Sequence, residues 1–236
     1  MKTIKFYFDK GRYIMTIFIG FESGNSYVKS VSSLPLSKPD VYLNTLTTVE
    51  KEQAFNPFDG QKYLDVYEVI EEGEKLYYRV GLPLQTSNQD SSSMDDPSRY
   101  RKINYKIECL IAIYRQLLQG VNTQELIYAV TGVPTKHAGN LLVIESIQMQ
   151  LKGTHTVNGR SFTINEVAVI AQGESTYYSE LLNERGEADP YFAVQVSKKN
   201  LMYVDIGHGT TDFCQIQRLI PGEKAQILGL KSVWLK

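Results

Sequence analysis

Residues 201–213, LMYVDIGHGTTDF, decide how this chain is read. A short apolar run delivers Asp205 to a tight turn built on Gly207 and Gly209, and the hydroxyls of Thr210 and Thr211 and the carboxylate of Asp212 follow. Glycine lacks a Cβ and accepts positive φ, so its backbone N–H groups can be brought very close to a polyphosphate. A carboxylate at the end of a strand can hold Mg²⁺ through the ion's own waters. The threonine hydroxyls add donors for phosphate oxygens without adding charge. Taken alone, the pattern is equally that of an ordinary hairpin closed by glycine and aspartate.

A second turn of the same kind lies near the other end of the chain, in residues 17–29, IFIGFESGNSYVK. An apolar strand reaches Glu22, the turn Gly24-Asn25-Ser26 follows, and Lys29 comes three residues later. Alternation along the returning strand can aim Lys29 back at whatever the turn holds. Two acid-plus-glycine hairpins suggest two lobes closing on one phosphate chain from opposite sides.

The pair of hairpins resembles the two phosphate motifs of the actin-like ATPase superfamily, and the wording GNSYVK and DIGHGTTDF is similar to its plasmid-segregation actins of the ParM/StbA type. Two further matches, YAVTGVP at residues 128–134 and VAVIAQGE at residues 167–174, stand between them in the family's order. The resemblance covers about residues 15–217. It implies an α/β fold: an actin-like (ribonuclease H-like) lobe with a β-rich insertion, followed by the beginning of a second, incomplete lobe. The expected division is an N-terminal extension at residues 1–14, a first lobe at 15–165 with its insertion at about 45–98, and a hinge helix with a partial second lobe at 166–236.

The same resemblance implies ATP and Mg²⁺ as ligands and assigns roles. Asp205 would hold Mg²⁺ through water, and Glu22 would do so on the facing hairpin, although the family uses aspartate there and the extra methylene alters the reach. Gly24, Asn25, Ser26, Gly207, His208, Gly209, Thr210 and Thr211 would line the phosphates, with His208 serving through its backbone N–H. Lys29 would meet β- or γ-phosphate oxygens as a point charge; its other reading is a solvated strand lysine. Gln172, which follows a buried strand and opens a helix, would orient the attacking water, because phosphoryl transfer needs positioning and charge neutralisation more than a strong base. The alternative for Gln172 is a polar residue at a helix start.

Composition agrees with a cytoplasmic bacterial protein of this sort. The 236 residues carry 42% hydrophobic and 22% charged side chains, ordinary for a globular chain, and the net charge of −1 argues against a direct grip on DNA or an anionic membrane. A link to DNA would run through an adaptor protein that binds the centromere. Cys109 and Cys214 show no metal-ligand spacing, so neither a zinc site nor a disulfide framework is indicated. The opening residues lack the apolar core of a signal peptide.

The pattern predicts strands at 14–21 and 27–32, with 41–49 extending the same sheet, and a hairpin of 63–70 with 75–81 joined at Glu71-Glu72-Gly73-Glu74. Residues 85–98 read as a loop. Ile103, Ile107, Leu110, Ile111, Tyr114, Leu117 and Leu118 form a helical stripe over 100–118, made to cover a sheet. Further expectations are a strand at 126–130, a helix at 136–151, a hairpin of 154–157 with 161–164 turned at Asn158-Gly159, a separate strand at 167–171, a helix at 174–184, an exposed connection to Pro190, and a last strand at 225–230.

The family continues into a glycine-rich adenosine motif, and no Gly-Gly pair occurs here. The expectation is therefore a truncated or divergent short form, and three readings stand side by side. The chain forms ATP-hydrolysing homopolymers; or it is a non-enzymatic fragment that at most engages an intact actin-like partner; or it is a small-molecule kinase of the same superfamily.

Overall fold

The computed structural model describes residues 6–9, 12–81, 96–120, 125–183, 187–196, 200–206, 210–216 and 227–234. The strands are β1 (Phe6–Asp9), β2 (Arg12–Ser23), β3 (Tyr27–Ser32), β4 (Asp40–Leu43), β5 (Leu46–Val49), β6 (Val66–Glu71), β7 (Glu74–Val80), β8 (Glu125–Val133), β9 (Gly153–Val157), β10 (Arg160–Ala171), β11 (Leu201–Ile206), β12 (Thr210–Ile216) and β13 (Ile227–Trp234). The helices are α1 (Lys51–Ala54), α2 (Ile103–Leu117), α3 (Thr135–Ala138), α4 (Leu141–Leu151), α5 (Gln172–Leu181) and α6 (Pro190–Val196), with a 3₁₀ turn at Pro97–Arg101. The chain divides into two compact units, one formed by Ile4–Val130 with Ser146–Ala168, the other by Thr131–Glu145 with Val169–Lys236.

In the first unit, a ten-stranded sheet runs in the order β4-β3-β2-β8-β10-β9-β6-β7-β5, with β1 paired to the outer part of β2. β2 is continuous from Arg12 to Ser23 and so crosses the boundary expected between residues 14 and 15. The segment expected as one strand at 41–49 is two. β4 pairs with β3 at one end of the sheet order and β5 with β7 at the other, joined only by Asn44 and Thr45. A link that short reaches roughly 10 Å, so the sheet must curl until its edges meet.

That curl explains α2. The helix was expected to bury one stripe, yet Cys109, Ala112 and Ile113 are as buried as Ile107, Leu110 and Ile111, while Ile103 and Leu118 at its ends are exposed. Strands β2, β3 and β9 all pack on it, and a helix enclosed by a curled sheet is apolar all round. Its polar side chains reach for partners. Gln116 donates to the carbonyl and hydroxyl of Ser30, both at 3.1 Å. Arg115 forks onto Asp40, with Nε to Oδ2 at 2.5 Å and Nη2 to Oδ1 at 2.9 Å, and lies over the Tyr42 ring.

Both expected two-residue turns are present. Glu72 and Gly73 close β6–β7, and Asn158 and Gly159 close β9–β10, each pair at positive φ as a type I′ turn requires. The strands expected separately at 161–164 and 167–171 are one 12-residue strand, β10. Asn165, between the two expected segments, is accommodated because its side-chain oxygen accepts the Ile127 N–H of β8. The helix expected at 136–151 is split at Gly139-Asn140, where Asn140 restarts α4 by accepting the Leu142 N–H. α6, over residues for which the pattern predicts no element, begins at the Pro190 that closes the expected connection, and Asp189 caps it by accepting the N–H groups of Tyr191 and Phe192.

In the second unit, β11, β12 and β13 form an antiparallel sheet in that order. α5 covers one face, its Tyr177 packing with Cys214 and Ile216 of β12, and Tyr178, Leu181, Phe192, Leu201 and Tyr203 close around them.

Candidate phosphate-binding hairpins

The first hairpin is formed by β2 and β3, with Glu22 directly opposite Lys29 and Ser23 opposite Val28. Alternation buries Val28, Ser30 and Ser32 and leaves Tyr27, Lys29 and Val31 outward. Lys29 therefore shares a face with Glu22, and the two form an ion pair, Nζ to Oε2 at 3.6 Å. The turn is tight: the Gly24 N–H donates to the Tyr27 carbonyl at 3.0 Å, and a Cβ on Gly24 would meet that same oxygen at 2.9 Å. Among the described residues the N–H groups of Asn25 and Ser26 have no acceptor. A glycine cradle with unfilled backbone donors, beside one carboxylate and one ammonium, is a donor set that fits a phosphate with a water-held Mg²⁺.

Sequence reading missed what lies beneath this turn. The Ser23 hydroxyl donates to Glu108 Oε2 at 2.5 Å and accepts from Arg99 Nη2 at 3.0 Å and from the Asn44 amide at 3.2 Å. Arg99 also reaches the Ser23 carbonyl at 3.2 Å and Glu108 at 3.5 Å, and lies over the rings of Tyr100 and Tyr105. Asn44 donates from its amide to the Gly24 carbonyl at 2.5 Å and from its backbone to the Ser26 carbonyl at 2.8 Å. Arg99 and Ser23 are buried. Burial pushes the Glu108 carboxyl above its ordinary value, with Arg99, Ser23 and Asn44 acting against the shift. The only sequence signal was an acid on the polar shoulder of α2 and an arginine beside the loop, neither distinctive.

The second hairpin places Asp205 opposite Asp212 and Ile206 opposite Thr211. Asp205 is exposed at the end of β11 and Thr211 is half-buried. Gly207, His208 and Gly209, and the side chain of Thr210, lie outside the described residues. By alternation Asp205 shares the face of Leu201 and Tyr203, on which α5 packs. β10 runs straight into α5, whose first residue is Gln172. Gly173 is pressed so hard onto β12 that a Cβ there would fall 2.1 Å from the Cys214 Cβ. Helix α5 therefore begins two residues along β12 from Asp212, the backbone partner of Asp205. Gln172 itself is half-buried and packs on Gly132, whose missing Cβ would stand 3.3 Å from Gln172 Cγ. The unit thus brings Gln172 and Asp205 to one end of the α5–β11–β12 layer.

Among the described residues no cluster of three or more His, Cys, Asp or Glu could hold a metal by protein ligands alone. Mg²⁺ keeps several waters and needs only one or two carboxylates, so a site held through water requires no such cluster.

No family model matches the sequence, and no curated protein matches it. Solved structures do. The apo ParM protein of pSK41 superposes with a TM-score of 0.66 at 20% identity over 86% of this chain and 62% of that one. The actin-like protein Alp7A gives 0.63 at 18% identity, over 86% of this chain and 57% of its own. The fold is actin-like. The filament of AlfA bound to AMPPNP matches with a TM-score of 0.54 at 16% identity, over 91% of this chain and 70% of that one. The chain spans about 60% of the length of ParM and Alp7A. No helix among the described residues is long and apolar enough to cross a membrane.

Proposed function

We propose that this chain binds Mg-ATP as an actin-like protein, assembles with its own kind into filaments, and serves plasmid segregation in the bacterial cytoplasm. The observation that carries the reading is the Gly24–Ser26 turn, with unfilled N–H donors beside Glu22 and Lys29, on a fold shared with ParM. The AlfA filament bound to AMPPNP, an ATP analogue, supports both nucleotide and polymer. In this reading the two units are the first lobe and part of the second. The N–H groups of Asn25 and Ser26 and the ammonium of Lys29 receive phosphate oxygens, and Gly207, His208, Gly209, Thr210 and Thr211 do so on the second hairpin. Glu22 on the first hairpin and Asp205 on the second would each hold Mg²⁺ through water, and the ion would supply neutralisation of phosphate charge. Gln172 orients the attacking water. With a net charge of −1, the chain reaches DNA through a centromere-binding adaptor.

Isothermal titration with Mg-ATP tests the binding, and light scattering after ATP addition tests assembly; the expected result is heat at micromolar nucleotide and a scattering rise that Asp205→Ala abolishes. A second reading, association with an intact actin-like partner without turnover, is favoured by the outward face of β11, where Met202, Val204 and Ile206 are 61%, 50% and 75% exposed. Silence toward Mg-ATP combined with co-elution with such a partner decides for it.

A further inference from the structure

The buried polar group under the first hairpin has no part in the roles given above. It draws on three elements remote in sequence from the turn: Arg99 from the 3₁₀ turn, Glu108 from α2, and Asn44 from the link between β4 and β5. Ser23 is saturated by them. Its one proton goes to Glu108, and its lone pairs are taken by Arg99 and Asn44. Ser23 is thus unavailable to a ligand, although it borders the turn. A buried Arg–Glu pair is a poor source of net stability, since apolar residues of the same volume would do as well or better. What this one does is fix direction.

The direction matters because the peptide group is planar. No cis bond occurs among the described residues, so the carbonyl of Gly24 and the N–H of Asn25 point to opposite sides of one rigid unit. Asn44 holds that carbonyl inward at 2.5 Å, which turns the Asn25 N–H outward, where it has no acceptor among the described residues. We infer that Asn44, Arg99 and Glu108 are positioning residues for the phosphate turn: they touch no ligand, and they hold the Gly24 carbonyl inward so that the Asn25 N–H is presented, already oriented, to an anion. The identity of the anion rests on the nucleotide reading above; the orientation of the peptide does not.

Two measurements on Asn44→Ala and on the near-isosteric Asn44→Asp, which lacks the donor, separate these claims. The first is the ¹⁵N–¹H order parameter of Asn25 and Ser26, expected to fall from about 0.85 in the unaltered protein to below about 0.6 in both variants. The second is the dissociation constant for Mg-ATP, expected to rise about tenfold under conditions where both variants remain folded by circular dichroism. A side chain that merely stabilised the fold would lower the unfolding midpoint and leave both readouts unchanged in the folded protein. Unaltered order parameters in Asn44→Asp overturn the inference. If the unaltered protein gives no heat with Mg-ATP while Asn44→Asp loosens the turn, the nucleotide reading fails and the positioning role stands.

Discussion

The two hairpins share a pattern of acid, glycine and polar side chains, yet the molecule supports them differently. The first is held from below by a buried network of charges and amides reaching in from three other elements. The second is held by apolar packing on one face, with Cys214 and Ile216 against Tyr177, and its other face is bare at Met202, Val204 and Ile206. A polar clamp fixes the orientation of individual peptides, whereas apolar packing is non-directional and fixes only distance. The first turn is therefore pre-oriented by its clamp, whereas β11 and β12 are packed from one face alone among the described residues.

The strongest way to break this contrast is to remove one charge from the clamp. Arg99→Met leaves the Glu108 carboxylate buried and unpaired, and uncompensated buried charges cost about 3–5 kcal/mol. Urea unfolding is expected to show a loss of that size. A loss below about 1 kcal/mol would mean that water reaches Glu108 and that no clamp exists. For the second hairpin the matching test is Gly173→Ala. The new methyl has nowhere to go against Cys214, and overpacking costs about 1–3 kcal/mol; Gly173→Ala combined with Cys214→Gly should recover part of it.

Glu108→Gln sharpens the comparison through pH. Because burial raises the folded-state pKa of Glu108 above its ordinary value of 4.5, the folded protein holds that proton more tightly than the unfolded chain. The resulting stabilisation is complete below pH 4.5 and is lost as pH rises through the raised folded value. Glutamine keeps an acceptor for Ser23 and carries no charge. The difference in urea midpoint between Glu108→Gln and the unaltered protein should therefore shift in favour of the variant between pH 4 and pH 7. A constant difference across that range would show that the group does not titrate there.

On the second hairpin, Met202→Lys with Val204→Lys should change stability by no more than about 0.5 kcal/mol, since both side chains face outward. If the bare face is an association surface, the pair of lysines abolishes self-association or partner binding seen by size exclusion with light scattering.

What the sequence disclosed follows from the range of each signal. The hairpins closed by Asn158-Gly159 and Glu72-Gly73 were legible because a two-residue turn at positive φ is a local demand that only a few residue types meet. The separation of β4 from β5 was not, because residues 41–49 carry no glycine or proline, and the parting lies in their pairing with strands at opposite ends of the sheet order. Likewise the apolar stripe of α2 foretold one covered face and missed the rest. At the site, Glu22, Gly24 and Lys29 were legible as a motif, whereas Arg99, Glu108 and Asn44 meet only through tertiary structure. Asp205 and Gln172 were legible in two separate motifs, and the glycine approaches, Gly173 to Cys214 on β12 and Gly132 to Gln172, are contacts that no spacing rule reveals.

Lys29, beside the first turn, should matter little to stability and more to binding. Lys29 and Glu22 are paired at 3.6 Å, but the lysine side chain is 57% exposed, and exposed pairs contribute about 0–1 kcal/mol because water and salt screen them. Lys29→Ala should therefore leave the urea midpoint nearly unmoved. An ammonium that neutralises phosphate charge acts only when the anion is present, so the same substitution should weaken Mg-ATP binding about tenfold, with a further loss as salt is raised in the unaltered protein but not in the variant. Lys29→Arg keeps the charge and should bind more nearly normally. If Lys29→Ala lowers stability by more than about 1 kcal/mol and leaves affinity unchanged, the cross-strand pair is a brace for the hairpin, and the turn above it presents its donors to something other than a phosphate.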